Sequence, residues 1–184
     1  ILRQAGECSR AELARRANLR QATITNITKT LIDLGYIRET GYYPGQGGRR
    51  SVGLTIDETR YRTIAARLTR EDFTVGLFTV LGTELSEERE KVSVASGTKN
   101  ALDRMAEVVN RMVDRVGRDD ILGLGVAVPG PFIRQSSKMA LVTGFPGWES
   151  VNLKEEIESR IDLPLFLEHD ANAGALAEWW IGEG

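Results

Sequence analysis

One turn-rich segment divides this chain into two stretches with different periodic patterns. Residues 43–50 read Tyr-Pro-Gly-Gln-Gly-Gly-Arg-Arg, a run that cannot continue a helix. Before it, apolar residues recur at helical spacing, and after it short β-type runs lead into alternating helix and strand patterns. We therefore predict two domains, at residues 1–57 and 58–184.

Charge is divided along the chain in a similar way. Residues 1–50 hold nine Lys and Arg against four Asp and Glu (+5), and residues 51–184 hold fifteen against twenty-two (−7), which gives the total of −2. A basic end on an acidic remainder is typical of a protein that meets a polyanion such as DNA at that end.

Composition favours an ordinary globular protein. Hydrophobic residues make up 41% of the chain and charged residues 27%. The first residues do not resemble a signal peptide, and no apolar run approaches the roughly 20 residues of a membrane span. A single cysteine, Cys8, leaves no internal disulfide and no cysteine-based zinc cluster within the chain. We expect a cytoplasmic protein without a membrane partner.

The first domain has the pattern of a helix-turn-helix. Ser9 and Glu12 fit a capping box that starts a short helix, and Asn18 fits its left-handed end. A second helix is predicted from Gln21 to Leu34, with Gly35 as its stop. The apolar residues predicted to form its buried face are Ile24, Ile27, Leu31 and Leu34.

The remainder of this domain predicts a DNA-binding wing. Strands at 36–39 and 51–56, joined by the Gly-rich segment, complete a winged helix-turn-helix whose second helix enters the major groove. Hydroxyl and amide groups suit base edges, and cations suit phosphates or a narrow minor groove. The residues predicted to contact DNA are Arg20, Gln21, Thr23, Thr25, Asn26, Lys29, Arg49 and Arg50. The alternative is a winged helix that makes only protein contacts.

The second domain alternates strand and helix patterns, which indicates an α/β fold on a mixed sheet. Strands are predicted at 61–67, 73–80, 83–92, 121–128 and 163–167, and helices at 99–116, 152–161 and 171–181.

Two loops of this domain follow buried strands and form a candidate small-molecule site. Gly130 follows the strand at 121–128, and His169 and Asp170 follow the strand at 163–167. Ligands of such sheets bind beyond the carboxyl ends of the strands, and Asp170 can accept a hydrogen bond from a hydroxyl or remove its proton. The alternatives are that Asp170 caps the following helix and that His169 only packs. Trp148 suits stacking on a sugar face or, alternatively, core packing.

Taken together, these motifs resemble the ROK family (repressor, open reading frame, kinase). The resemblance rests on the segments at 9–14, 47–50, 128–131, 145–148 and 168–172, with Glu178 and Gly182. It implies the first part of an actin-like ATPase/sugar-kinase domain, of ribonuclease H-like fold, behind the winged helix. It also implies a homodimer or homotetramer on double-stranded operator DNA, a sugar or sugar phosphate as effector, and Gly130, His169 and Asp170 as sugar contacts.

Departures from the family pattern bear on activity. Family kinases carry an Asp-x-Gly-Gly-Thr phosphate loop, but residues 68–72 here read Leu-Thr-Arg-Glu-Asp and lack the adjacent glycines. His169 stands where the kinases usually have Asn, so the family pattern does not indicate which sugar binds. We therefore predict no enzyme activity and a sugar-responsive repressor of carbohydrate-metabolism genes. The first alternative is an ATP-dependent sugar kinase with Asp170 as catalytic base, and the second is a regulator whose signal is a protein partner.

The resemblance also bears on metals and on the extent of the chain. It implies that the family's cysteine-rich zinc segment, and its second sugar-contacting Glu and His, lie beyond Gly184. No metal or cofactor is therefore expected within residues 1–184. The chain begins within a predicted helix and ends just after another, so we expect it to be part of a longer protein.

Overall fold

A computed structural model describes residues 1–44, 50–69, 71–91, 97–130, 132–133, 138–139, 148 and 151–181. The chain forms two compact units, Ile1–Tyr61 and Arg62–Gly184. Residues 58–61, which the sequence assigns to the second domain, lie in the first unit, to which Thr59, Arg60 and Tyr61 are hydrogen-bonded. The hydroxyl of Tyr61, for example, donates to the carbonyl oxygen of Leu34.

The first unit is a winged helix. Its helices are α1 (Leu2–Ala5), α2 (Arg10–Ala17) and α3 (Gln21–Asp33), and its strands are β1 (Cys8–Ser9), β2 (Ile37–Pro44) and β3 (Arg50–Ile56). The strands form an antiparallel sheet in the order β1-β3-β2, and β2 and β3 form the wing hairpin. The helix-turn-helix and the wing strands predicted from the sequence are confirmed, although β2 continues beyond its predicted end at residue 39.

The signals that start and end α2 act as predicted. The hydroxyl oxygen of Ser9 accepts a hydrogen bond from the Glu12 amide at 3.2 Å, and so satisfies a donor that the helix leaves free. Asn18 adopts the left-handed conformation with φ of 53°, and its amide donates to carbonyl oxygens of the last turn.

The predicted buried face of α3 is partly wrong. Ile24 is buried, but Ile27 and Leu34 are 42% and 48% exposed. Thr28 is buried instead, at 2% exposure, and its hydroxyl donates to the Ile24 carbonyl oxygen at 2.8 Å. A paired hydroxyl can be buried at little cost, so the core stripe of α3 is turned toward Thr28 and Ile32. A pattern counted on apolar residues alone misses that rotation.

The second unit is an α/β fold on a five-stranded sheet, which confirms the predicted class. Its strands are β4 (Arg62–Leu68), β5 (Asp72–Thr79), β6 (Glu84–Lys91), β7 (Ile121–Val128), β8 (Phe132–Ile133), β9 (Lys138–Met139) and β10 (Leu165–His169). Its helices are α4 (Gly97–Val116), α5 (Leu153–Glu158) and α6 (Asp170–Ile181), with a short 3-10 turn at Arg118–Asp120. The order of the main sheet is β10-β7-β4-β5-β6, and β8 pairs with β9 separately.

The sheet is mixed, as predicted, because β10, β7, β4 and β6 run in one direction while β5 is antiparallel to its neighbours β4 and β6. Helix α4 covers one face with a stripe that includes Leu102, Met105 and Met112, all at most 1% exposed. Trp148 also lies in this core, at 6% exposure, which favours its core-packing interpretation over a stacking role.

The register of β7 and β10 positions the candidate small-molecule site. His169 pairs with Val128, so the two parallel strands end at the same level. The segments that follow them, which carry Gly130 and Asp170, therefore begin side by side at one edge of the sheet.

Candidate functional sites

Helix α3 presents an exposed polar face. The residues of this face are Gln21, Ala22, Thr23, Thr25, Asn26 and Lys29, and every one of them is exposed. The hydroxyl of Thr25 donates to the carbonyl oxygen of Gln21 at 2.9 Å, and it keeps its lone pairs as acceptors. The amides of Gln21 and Asn26 carry both donors and acceptors, which is what reading a base edge requires.

The N-terminal end of α3 is suited to an anion. Arg20 occupies the N-cap position with extended backbone, it is exposed, and its side chain makes no capping hydrogen bond. This fully described helix has no acidic residue in its first turn. Its first amides, which carry the positive end of the helix dipole, therefore remain open to a phosphate beside Arg20.

The wing is described only in part. The backbone of Arg50 starts β3 opposite Pro44, while Arg49 and Gly47–Gly48 lie outside the described residues, as does the side chain of Arg50. The wing is joined to α2 by the Tyr43 hydroxyl, which donates to Glu12 at 3.0 Å. Bonds from Arg16 and then Tyr43 hold the pKa of Glu12 below its ordinary value, so this carboxylate stays charged.

A groove of about 520 Å³, which no sequence pattern indicated, lies between α3 and β2. Lys29 of α3 and Arg38 of β2 line it and are both exposed, and Arg10, Glu39 and Asp57 also line it. Arg38 was missed because it lies in the first wing strand, outside both the predicted recognition face and the Gly-Arg-rich segment. No sequence pattern pairs Arg38 with Lys29, since only the fold brings β2 beside α3.

Arg10 fixes the shape of this groove. Its Nε donates to the Thr28 hydroxyl at 3.2 Å, and its Nη2 lies 2.8 Å from Glu39 Oε1. One side chain thus joins the starts of α2 and β2 to the middle of α3. Because Arg10 is bound in this way, Lys29 and Arg38 are the cations of the groove left more exposed.

In the second unit, the structure brings Gly130 and His169 together. A methyl group added at Gly130 would collide with His169 Nε2, so the imidazole ring sits directly against the Gly130 backbone. His169 Nε2 also lies 3.3 Å from Asp170 Oδ1. All three predicted sugar contacts therefore form one cluster at the carboxyl ends of β7 and β10. His169 is the last residue of β10, so the prediction that it follows the strand is wrong.

The cluster continues into the first turn of α6. The Asp170 carboxylate accepts a hydrogen bond from the Ala171 amide at 2.8 Å, so it has part of the capping role of the alternative interpretation. Glu168 Oε1 accepts from the His169 amide at 2.9 Å and from the Asn172 side chain at 3.0 Å. Asp170 and His169 each stay about a third exposed, which leaves room for a ligand hydroxyl.

Side chains bind one another at the turn between β4 and β5, the segment that in sequence lacks the adjacent glycines of a phosphate loop. Thr69 donates through its hydroxyl to Asp72 Oδ1 at 2.7 Å, and the Asp72 amide donates back to the Thr69 oxygen at 3.1 Å. Arg89 binds Asp72 Oδ2 through two nitrogens. Asp72 is 5% exposed, and the bonds from Thr69 and then Arg89 lower its pKa.

Two features are absent from the part of the chain that the structure describes. It contains no group of three or more His, Cys, Asp or Glu side chains placed to hold a metal ion. Nor does it contain a helix long and apolar enough to cross a bilayer.

Fold and sites together define a winged helix joined to an α/β domain of the sugar-kinase type. The ROK family model matches residues 63–184, and the MarR family model matches residues 1–40. Because the first match spans more than half of the chain, the protein belongs to the ROK family.

Relatives of this chain include regulators. It is 29% identical to the xylose repressor of Caldicellulosiruptor bescii, over 95% of this chain and 44% of that protein. It is 28% identical to the DNA-binding transcriptional dual regulator NagC of Escherichia coli, over 99% of this chain and 45% of that protein. The chain thus spans less than half the length of these curated relatives.

Solved structures support the same fold. A ROK family transcriptional regulator described as a homolog of the E. coli MLC protein matches with a TM-score of 0.73 at 24% identity, over 95% of this chain and 44% of that one. A ROK hexokinase from Thermus thermophilus matches with a TM-score of 0.53 at 24% identity, over 64% of this chain and 38% of that one.

Proposed function

We propose that this protein is a DNA-binding transcriptional repressor whose affinity for its operator responds to a sugar or sugar phosphate. The observation that carries the proposal is the exposed polar face of α3 in a winged helix joined to a ROK domain. Repressor relatives align over both units, which supports the same combination of activities. A regulator of carbohydrate-metabolism genes of this kind works in the cytoplasm, without a membrane partner.

In this proposal α3 reads the operator. Gln21, Thr23, Thr25 and Asn26 contact base edges in the major groove, while Arg20 at the helix start binds a phosphate. The open N-terminal amides of α3 support the phosphate contact.

The groove beside α3 adds a second phosphate position. Lys29 and Arg38 line it from two elements, so a DNA backbone that passes between helix and wing would meet both charges. Arg49 and Arg50 of the wing contribute the minor-groove contact.

The cluster of Gly130, His169 and Asp170 would bind the effector. Its carboxylate accepts hydrogen bonds from sugar hydroxyls, and the imidazole adds a donor or acceptor beside it. A sugar that binds two states of the repressor unequally shifts its DNA affinity by the ratio of those affinities. The operator would be two-fold symmetric and bound by a homodimer or homotetramer.

The alternative is a sugar kinase with a DNA-binding module, in which Asp170 removes a proton from the sugar hydroxyl. The match to a ROK hexokinase favours it at the level of fold. The β4–β5 turn argues against it, since Thr69 and Arg89 bind Asp72 where a phosphate loop would offer free amides. ATP turnover with a panel of sugars, lost in Asp170→Asn, would establish the kinase and overturn our preference.

The test of the proposal is selection of bound duplexes from a randomised library by the intact protein, repeated with D-xylose and with N-acetylglucosamine. We expect a palindromic site whose affinity changes with one sugar of the panel. Asn26→Ala should change the preferred bases. Arg50→Ala should instead weaken binding to all duplexes alike and reduce by about one the slope of log affinity against log salt concentration (the salt slope). No selected sequence, or an affinity that no sugar alters, would contradict the proposal.

A further inference from the structure

The C-terminal end of α3 is bound by residues from outside the helix-turn-helix. The carbonyl oxygen of Leu34, the residue that ends α3, accepts two hydrogen bonds from the segment that follows the wing. Arg60 Nη1 donates at 3.1 Å and the Tyr61 hydroxyl donates at 2.8 Å. These donors lie 26 and 27 residues further along the chain, so the contact is tertiary rather than local.

Ring contacts hold the two donors in place. The rings of Tyr36 and Tyr61 are stacked with centroids 4.8 Å apart, and the Arg60 guanidinium carbon lies 4.9 Å from the Tyr61 ring centroid. Tyr61 is 8% exposed, so its hydroxyl is positioned by a buried ring. A methyl group at Gly35, which has φ of 78°, would lie 2.9 Å from the Arg60 side chain, so the glycine also leaves space for this donor.

The turn that follows α3 binds two of its last carbonyl groups: the Gly35 amide donates to Ile32 and the Tyr36 amide donates to Leu31, each at 2.9 Å. The last carbonyl groups of any helix have no partners within it, and they carry the negative end of its dipole. Helix α3, described throughout, has no basic residue in its last turn. Arg60 and Tyr61 bind the Leu34 carbonyl oxygen in addition to that turn, and Arg60 brings a cation to the negative end of the helix dipole.

The residues that bind the end of α3 directly precede the first strand of the second unit. Tyr61 is followed directly by Arg62, the first residue of β4. Strand β4 pairs in parallel with β7, and β7 leads into Gly130 of the candidate sugar site. Tyr61 is thus the direct neighbour in the chain of a strand whose sheet carries the candidate sugar site.

We propose that Arg60 and Tyr61 are positioning residues, which cap α3 from the segment entering β4 and so make the order of the recognition helix depend on that segment. The structural part of the proposal stands on the contacts above, and its consequence for DNA reading rests on the proposed function.

Hydrogen exchange of the intact protein tests the cap. Tyr61→Phe removes one hydroxyl and keeps the ring stack, so we expect the amides of Leu34, Gly35 and Tyr36 to exchange about five-fold faster, as the loss of one hydrogen bond of ordinary net strength implies. Tyr36→Phe is the matched control, since it removes the hydroxyl from the other ring of the stack. Equal exchange in the two variants would overturn the cap.

DNA selectivity tests the consequence. For Tyr61→Phe we expect a smaller ratio of affinities for the selected duplex and a mixed-sequence duplex, with the salt slope unchanged. Arg60→Met should do the same more weakly, because Arg60 is exposed, and Arg60→Lys should restore most of the ratio. An unchanged ratio in Tyr61→Phe, or a salt slope reduced by about one in Arg60→Met, would contradict positioning. If the wild-type protein selects no duplex, the proposed function fails while the exchange result still decides the cap.

Discussion

Gly130 has no side chain because His169 occupies the space that one would need. The glycine has no positive φ that would require it, so the requirement is contact alone. The sequence marked Gly130 and His169 as site residues only through strand ends and the family resemblance. That the ring lies against the glycine could not be read from residues 39 positions apart.

The first prediction follows from this contact. Gly130→Ala should force the His169 ring out of its position and weaken sugar binding by about tenfold, the cost of one good hydrogen bond. Isothermal titration with the responsive sugar measures it. Gly125→Ala is the control, because a methyl group at Gly125 in β7 meets nothing within 4 Å. Equal sugar affinity in the two variants would show that the His169 ring does not contact the sugar.

Thr28 is a second residue whose environment the sequence did not predict, here within one helix. Its hydroxyl makes two hydrogen bonds inside α3 and accepts a third from Arg10, so it lies in the core while Ile27 does not. Judged by residue type alone, Ile27 was predicted to be buried and Thr28 was not. Hydrogen-bond partners from another element decide the burial of a small polar residue.

At the scale of elements, the sequence was most informative where the signal is local. The ends of α2 and of β7 were predicted correctly, because capping residues and short apolar runs act over a few positions. The wing strand β2 was predicted too short, since its continuation depends on pairing with β3. The charged β6 is held in part by α4, where Arg104 and Arg111 bind its glutamates.

The second prediction concerns the β4–β5 hairpin. Asp72 has a lowered pKa in the folded state, so its stabilising contribution is present above its unfolded value near 3.8 and is lost as the pH falls through the folded value. Asp72→Asn should cost about 2 kcal/mol of the free energy of unfolding at neutral pH. As the pH falls below 3.8, the difference from wild type should shrink.

Urea unfolding followed by tryptophan fluorescence, at a series of pH values, measures this difference. The exposed Asp162→Asn serves as control, and we expect it to change the free energy of unfolding little at any pH. A difference for Asp72→Asn that stays constant down to acid pH would show that the carboxylate charge does not stabilise the turn.

At the scale of the whole molecule, each unit has its own core. One cluster includes Cys8, Leu13 and Leu54, and the other surrounds α4 and β7. All four tyrosines lie in the first unit and all three tryptophans in the second, so the two fluorophores separate the units.

The third prediction uses that separation. Leu54 is fully buried, so Leu54→Ala should lower the stability of the first unit by about 3 kcal/mol through the cavity it leaves. Tyrosine near-ultraviolet circular dichroism should show an earlier urea transition. The tryptophan fluorescence transition should keep its midpoint, because Leu54 belongs only to the first cluster. An equal shift of both signals would contradict separate cores.

The sequence by itself determined the order of the elements, the winged helix, the α/β class and the family, because helix caps, periodicity and short motifs are local and several of them occur in order. Tertiary structure alone decided which residues meet. It placed His169 on Gly130, set Arg38 beside Lys29, and bound the end of α3 to Tyr61. It also buried Trp148 at 6% while leaving Trp179 76% exposed. Contacts between distant residues depend on the three-dimensional path of the chain, and no local pattern encodes that path.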